Sequence, residues 1–170
     1  MLQENKIIEL LPQVLSGDHL IEELGYLPAY NETIIEQSQA SRLLALSDIY
    51  RVYVPSEMSI EIYNKLYLAL LLSIKKKFTA AAVKQRYENA KMIKRMDSVG
   101  IIGGSDSFTI IGSSGIGKSS AIEQSIGLLT ENAIIQDDEL IGDVIPCLVV
   151  QCPFDSSVKS LLLEILRKTD

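Results

Sequence analysis

The stretch 108–119, Phe-Thr-Ile-Ile-Gly-Ser-Ser-Gly-Ile-Gly-Lys-Ser, decides the fold that this sequence predicts. Its first four residues are β-branched or aromatic, a composition typical of a short buried strand. They lead directly into Gly112–Ser119, which fits the pattern G-x4-G-K-[ST], and an apolar helical pattern follows over 121–129. A strand, a glycine-rich loop and a helix in this order form the setting of a phosphate-binding loop.

Each residue type in this loop has a chemical reason to be there. Glycines let backbone N–H groups approach phosphate oxygens without a Cβ in the way, and they adopt positive φ angles. Lys118 is predicted to reach the β- and γ-phosphates, and the Ser119 hydroxyl is predicted to ligate Mg2+. We therefore expect ATP or ADP as ligand, with Mg2+ bound through the nucleotide. The predicted nucleotide-binding residues are Gly112, Ser113, Ser114, Gly115, Ile116, Gly117, Lys118, Ser119 and Ser120.

Hydrolysis of the nucleotide needs more than this loop. It also needs an acidic residue at a strand end, which holds Mg2+ and positions water. The nearest acidic run is 134–139, Ile-Ile-Gln-Asp-Asp-Glu, but Gln136 interrupts it and it begins only fifteen residues past Ser119. We interpret it as another strand followed by an exposed acidic turn. The sequence thus predicts nucleotide binding without efficient hydrolysis, and it identifies no catalytic residue.

The surrounding pattern predicts an α/β protein of two parts. Residues 98–170 are expected to form an incomplete P-loop NTPase core of αβα layers, with strands at 108–111 and 145–152. Residues 1–97 are expected to be mostly helical. Pro55 precedes a helix capped by Ser56 or Ser59, and Thr79 is expected to cap the next one. The predicted helices cover 33–50, 56–77, 79–96 and 156–168.

The charge is distributed unevenly along the chain. The segment 75–95 carries eight basic residues and one acidic residue, whereas both flanking regions are acidic and the whole chain has a net charge of −6. On the helix predicted over 79–96, the basic residues Lys84, Lys91 and Arg95 fall on one narrow stripe, and Lys77 extends this stripe if the two helices are nearly continuous. Such a stripe is either a solvated helix face or a surface that binds the phosphate backbone of DNA or an acidic partner.

The composition places the chain in a broad class. Its 170 residues are 47% hydrophobic, which is enough for a folded core. Cys147 and Cys152 are too few for a disulfide scaffold, which favours a reducing compartment. The most apolar run, 66–74, has nine residues, whereas a membrane-spanning helix needs about twenty. Since the first residues also lack a leader pattern, we expect a cytoplasmic protein without a membrane partner.

Two segments together resemble a known family. The segment 106–124, DSFTIIGSSGIGKSSAIEQ, is followed by a predicted strand that ends in QCPFDSSVKSLLLEIL. This combination resembles the TniB/TnsC-type AAA+ ATPases that regulate transposition, in which a Cys-Pro-x-Asp-x-Ser-x-Lys run follows that strand. The matching residues here are Cys152, Pro153, Asp155, Ser157 and Lys159. The likeness is specific over about 97–168 and looser over the helical part.

The resemblance implies ATP-dependent homo-oligomeric assembly on DNA, recruitment of a transposase and contact with a target-selection protein. It also implies that the acidic magnesium motif, the sensor residues and the arginine finger of the family would lie beyond Asp170, so the chain is expected to be a truncated product or a fragment. Three alternatives stay open. They are another P-loop class such as a small-molecule kinase, a non-enzymatic protein-interaction module, and a DNA-binding fragment that uses the basic stripe.

Overall fold

The computed structural model describes residues 2–29, 31–95, 107–130 and 144–169. Within these ranges the chain is predominantly helical. Two 3-10 helices, Glu32–Glu36 and Asp48–Arg51, flank the third α-helix. The α-helices are α1 Leu2–Leu10, α2 Gly17–Leu24, α3 Gln39–Ser47, α4 Glu57–Lys77, α5 Ala80–Arg95, α6 Lys118–Leu129 and α7 Val158–Thr169.

Helix α4 is the longest described helix, and hydroxyl groups fix its start. The Ser56 N–H donates to Ser59 Oγ at 3.0 Å, and the two hydroxyl oxygens lie 3.2 Å apart. Tyr53 adds a third hydroxyl, 2.7 Å from Ser59 Oγ. Ser59 is buried, so these bonds satisfy a polar group that water does not reach. Ser56 therefore begins the helix directly after Pro55, as the sequence predicts.

Two apolar clusters hold the helices together along α4. The first joins Ile7 and Leu11, at the end of α1, to Ile74 near the end of α4. The second joins four side chains from three helices, Leu20, Leu24, Tyr63 and Leu129. Burial of these apolar surfaces is the main favourable contribution to packing.

Two tyrosines of α4 also secure the connection between α1 and α2. The buried Tyr63 hydroxyl accepts a hydrogen bond from the Leu15 N–H at 3.0 Å. The Tyr67 hydroxyl donates to the Pro12 carbonyl at 3.0 Å. The backbone between the two helices is thus bonded to side chains that already lie against the core.

Helix α6 packs against α4 and α2 through one stripe of its surface. Ala121, Ser125 and Leu129 are buried and recur every four residues, so they fall on one side of the helix. The buried Ser125 hydroxyl donates to the Ala121 carbonyl at 2.7 Å, which satisfies it within the helix itself. The helix that follows the glycine-rich loop is therefore anchored to helices rather than to a sheet.

This arrangement contradicts the predicted fold class. The described residues contain no β-strand, so the αβα core of a P-loop NTPase is wrong for this structure. The segments 108–111 and 145–152, predicted as strands, are irregular, and Ile111 is 92% exposed. A strand forms only when a partner supplies its ladder of hydrogen bonds, and β-branched composition does not specify that partner. The acidic run 134–139 lies outside the described residues.

Most of the predicted helices are confirmed, because caps and apolar spacing depend on residues close together in the sequence. The predictions for 56–77, 79–96 and 156–168 are confirmed as α4, α5 and α7, and Thr79 Oγ1 accepts from the Ala82 N–H at 3.3 Å as a cap should. The single helix predicted over 33–50 is wrong, since the segment divides into a 3-10 helix, α3 and a second 3-10 helix. No helix in the described part of the chain is long and apolar enough to cross a membrane.

Candidate phosphate-binding loop

Two glycines of the glycine-rich loop have positive φ angles, and Gly112 does not. Gly115 has φ +81° and Gly117 has φ +91°, both in the left-handed region that L-residues rarely adopt. A Cβ at either position would meet nothing within 4 Å, so the backbone angle, rather than lack of space, requires glycine there. Gly117 is the residue before α6, and the helix begins at Lys118.

The side chain of Lys118 folds back across the loop. Its Nζ donates to the Gly112 carbonyl at 2.8 Å and to the Ser113 carbonyl at 2.7 Å. A lysine ammonium has three N–H donors, and these two bonds use two of them. The positive charge is thus held beside the carbonyls of Gly112 and Ser113.

The first turn of α6 adds backbone donors to the same place. The Ala121 N–H donates to the Gly117 carbonyl at 2.9 Å, which is the first bond of the helix. The N–H groups of Lys118, Ser119 and Ser120 precede that bond, so the helix itself offers them no acceptor. The first turn carries no acidic side chain, and the positive end of the helix dipole is not neutralised from within. Ser119 and Ser120 are both exposed.

The predicted nucleotide-binding residues therefore lie together at one end of α6. The three glycines, Lys118 and the two serines of the first turn all belong to one continuous loop and helix start. Ile116 is 56% exposed and its Cγ2 lies 3.5 Å from the position of a Cβ on Gly112, so it covers one side of the loop.

The predicted DNA stripe lies elsewhere, on the end of α4 and on α5. A two-residue break, Phe78 and Thr79, separates the two helices after Lys77. Lys84 is exposed and its Nζ lies 3.9 Å from Glu88, while the Lys91 ammonium sits 4.2 Å from the ring centroid of Tyr87. Arg95 is the last residue of α5. The structure thus gives Lys84 and Lys91 weak partners on the surface of the same helix.

The residues that carry the family resemblance have a local structural role. The Asp155 carboxylate accepts from the Ser157 N–H at 3.1 Å, and Ser157 Oγ accepts from the Ser160 N–H at 3.2 Å. These bonds cap the start of α7. Lys159 is exposed on the first turn of that helix, and Cys152 is exposed ahead of it.

The other cysteine is shielded from water. Cys147 is half-buried, and this burial raises the pKa of its thiol, against a smaller lowering by the hydrogen bond from the Leu148 backbone. The neutral thiol is therefore favoured, so Cys147 is a poor nucleophile and a poor metal ligand.

Sequence reasoning missed a second surface feature, an apolar groove between residues 27 and 52. It has a volume of about 900 Å3, and the three short helices of this region form its walls. The apolar residues of α3 cover more than one helix face, and this could have indicated a second apolar surface. The prediction of a single long helix over 33–50 excluded a groove. Its apolar walls include Leu27, Ile34, Ile35, Leu43, Leu46 and Ile49.

Comparison of the chain with protein-family models, curated proteins and solved structures finds no match. The interpretation of the loop therefore rests on its own residues and geometry.

Proposed function

We propose that this protein binds the phosphate chain of a nucleotide, ATP with Mg2+ or ADP, at the loop Gly112–Ser119. One observation carries the proposal, namely the Lys118 ammonium held over a glycine loop at the start of α6. A triphosphate presents closely spaced anionic oxygens, and the exposed N–H groups of the first turn are donors of matching polarity. The Ser119 hydroxyl is the group in this loop that suits Mg2+.

The absence of a sheet in the described residues does not remove the elements that contact phosphate. Those elements are backbone N–H groups, positive-φ glycines and one lysine, and all of them belong to the loop and the first helical turn. A neighbouring sheet would only hold the loop in place. Here Ala121, Ser125 and Leu129 are buried on the side of α6 that packs against α4 and α2, whereas Ser119 and Ser120 are exposed.

We also propose that the chain binds nucleotide without efficient turnover. Phosphoryl transfer needs an oriented water, a positioned metal and, in many enzymes of this chemistry, an arginine that is worth about 10^3 to 10^5 in rate. The loop supplies a lysine and the Ser119 hydroxyl, whereas the nearest acidic run of the sequence, 134–139, is interrupted by Gln136. We therefore expect phosphate release by this chain, with Mg2+ and DNA present, to stay at the background level of Lys118→Ala.

Calorimetric titration with Mg–ATP tests the binding proposal. Lys118→Ala removes the charge that faces the phosphates, so its affinity should fall at least tenfold, about 1.4 kcal/mol. Lys159→Ala is the matched control, because Lys159 also lies on the first turn of a helix but follows no glycine loop. It should leave the affinity unchanged.

A second measurement uses the wild type with different ligands, so it does not depend on whether Lys118→Ala disturbs the loop. Inorganic tripolyphosphate should compete with ATP, whereas adenosine should not, because the loop contacts only phosphates. Equal affinity of wild type and Lys118→Ala for Mg–ATP, or competition by adenosine alone, would contradict the proposal.

The resemblance to transposition ATPases supports a wider proposal, with DNA, a transposase and a target-selection protein as partners of a homo-oligomer. One feature of the structure favours the DNA component. Lys84 and Lys91 are exposed on α5, and their weak partners, Glu88 and the Tyr87 ring, are on the same helix. DNA phosphates are stronger partners for such cations than one exposed carboxylate.

A further inference from the structure

Residues 27–52, called the clipped segment below, begin and end at a two-residue bridge. The Tyr26 N–H donates to the Tyr53 carbonyl at 2.9 Å, and the Tyr53 N–H donates to the Tyr26 carbonyl at 2.9 Å. The two tyrosines form an isolated antiparallel bridge. The Arg51 guanidinium lies 5.0 Å from the ring centroid of Tyr26 and adds a side-chain contact at the same place. The clipped segment therefore starts and ends at one point of the fold.

The chain on either side of this bridge continues directly into the buried core. Leu24, the last residue of α2, is fully buried and lies two positions before Tyr26. On the other side, the Tyr53 hydroxyl lies 2.7 Å from Oγ of the buried Ser59 in α4. Helices α2 and α4 also contact each other. The positions of Tyr26 and Tyr53 are therefore set by α2 and α4 rather than by the residues between them.

The clipped segment itself has little contact with the core. Its described residues, 27–29 and 31–52, include no buried residue, and Leu44 and Tyr50 are 76% and 93% exposed. Helix α3 and the two 3-10 helices contact one another, but they contact no other described helix. α3 has nine residues, whereas isolated helices shorter than about 12–15 residues are marginal in water. Apolar burial against the rest of the protein thus contributes little to the stability of this segment.

The helices next to the clipped segment are anchored by burial. Ile62 and Tyr63 of α4 are 3% and 1% exposed, and Ala121 and Leu129 of α6 are 0% and 2% exposed. Regions of a protein with few buried apolar contacts open at a lower free energy than its core, and they do so in contiguous cooperative units. The clipped segment has the limits and the low burial of such a unit.

We propose that the clipped segment is a separate cooperative unit, which loses and regains its structure as a whole while α2, α4 and α6 stay folded. Its boundary is the bridge between Tyr26 and Tyr53. The apolar groove is lined by the clipped segment alone, so the groove is present only while this unit is closed. The inference rests on this segment and its bridge and is independent of nucleotide binding.

Native-state amide exchange of the full chain, measured at increasing low concentrations of denaturant, tests this proposal. The N–H groups of Gln37, Arg42 and Val52 belong to different helices of the clipped segment or to their ends, and each is bonded within the segment. They should exchange through one common opening with one dependence on denaturant. The amides of Tyr63 and Ser125, in the buried parts of α4 and α6, should be protected at least about tenfold more strongly.

Two alanine-to-glycine variants separate the clipped segment from the core. Ala45 lies in α3 and Ala69 in α4, and both are partly buried. Glycine destabilises a helix relative to alanine, so Ala45→Gly should speed exchange about threefold or more across the whole clipped segment. It should leave exchange in α4 and α6 unchanged. Ala69→Gly is the matched control, which should speed exchange in α4 and leave the clipped segment unchanged.

Four outcomes would overturn the proposal. The first is a clipped segment whose amides are either unprotected or as protected as those of Tyr63 and Ser125. The second is an effect of Ala45→Gly that is confined to α3. The third is an effect of Ala45→Gly that extends equally to α4 and α6, and the fourth is an effect of Ala69→Gly that extends to the clipped segment.

Discussion

Because α6 packs against α2 and α4, truncation of its buried side chains should destabilise the helical core, which the predicted sheet-based fold does not imply. Leu129, near the end of α6, is 2% exposed and shares an apolar cluster with Leu24 of α2, which is fully buried. Truncation of a buried leucine to alanine removes transfer free energy and leaves a cavity, a loss of about 2–5 kcal/mol. We expect Leu129→Ala and Leu24→Ala each to lower the free energy of unfolding by about 3 kcal/mol.

The decisive quantity is the coupling between the two substitutions. Residues in one cluster share a cavity when both are truncated, so the double variant should lose less than the sum of the single losses, by about 1 kcal/mol. Denaturant unfolding of the four proteins of the cycle measures this difference. Leu68→Ala is the control, because Leu68 lies on α4 but is 55% exposed and outside the cluster. Strictly additive losses for Leu24 and Leu129 would refute the packing of α6 on the helices.

Four further predictions concern single features. Tyr63→Phe should lower the free energy of unfolding, measured with denaturant, by about 1–3 kcal/mol, because it leaves the Leu15 N–H without its acceptor. A smaller decrease than that of Tyr67→Phe would contradict this prediction. Cys147 should be alkylated more slowly than the exposed Cys152 in the native protein. In urea the two cysteines should be alkylated at equal rates. Burial raises the pKa of Cys147 in the folded protein, so the folded state favours the neutral thiol. The free energy of unfolding should therefore decrease as the pH rises through that pKa. In Cys147→Ala this decrease should be smaller. Replacing Lys84, Lys91 and Arg95 with alanine should reduce the slope of log DNA affinity against log salt by up to about three, and an unchanged slope would mean that the stripe is only a solvated face.

Local features of this protein were predictable from the sequence. The start of α4 after Pro55, the cap at Thr79 and the positive φ angles of Gly115 and Gly117 all depend on residues within a few positions of one another. The start of α6 directly after the glycine-rich loop was predictable for the same reason, and phosphate binding by that loop stays a prediction.

The larger arrangement was not predictable, because it depends on partners far along the chain. The β-branched run 108–111 carries a strand propensity but no information on which segment would pair with it. The apolar stripe of α6 fits either a sheet or a helix surface, and only the cluster with Leu20, Leu24 and Tyr63 shows which one it meets. The division into 1–97 and 98–170 stays a prediction.

An amide NMR titration with Mg–ATP tests the central claim most directly, because it reports on the loop residue by residue. We expect the largest shifts at Gly115, Gly117, Lys118 and Ser119, and much smaller shifts with adenosine. Lys84 and Lys91 on α5 should not respond to the nucleotide. Shifts centred on α5, or no shifts in Gly112–Ser119 at saturating nucleotide, would contradict the assignment of this loop as a phosphate-binding site.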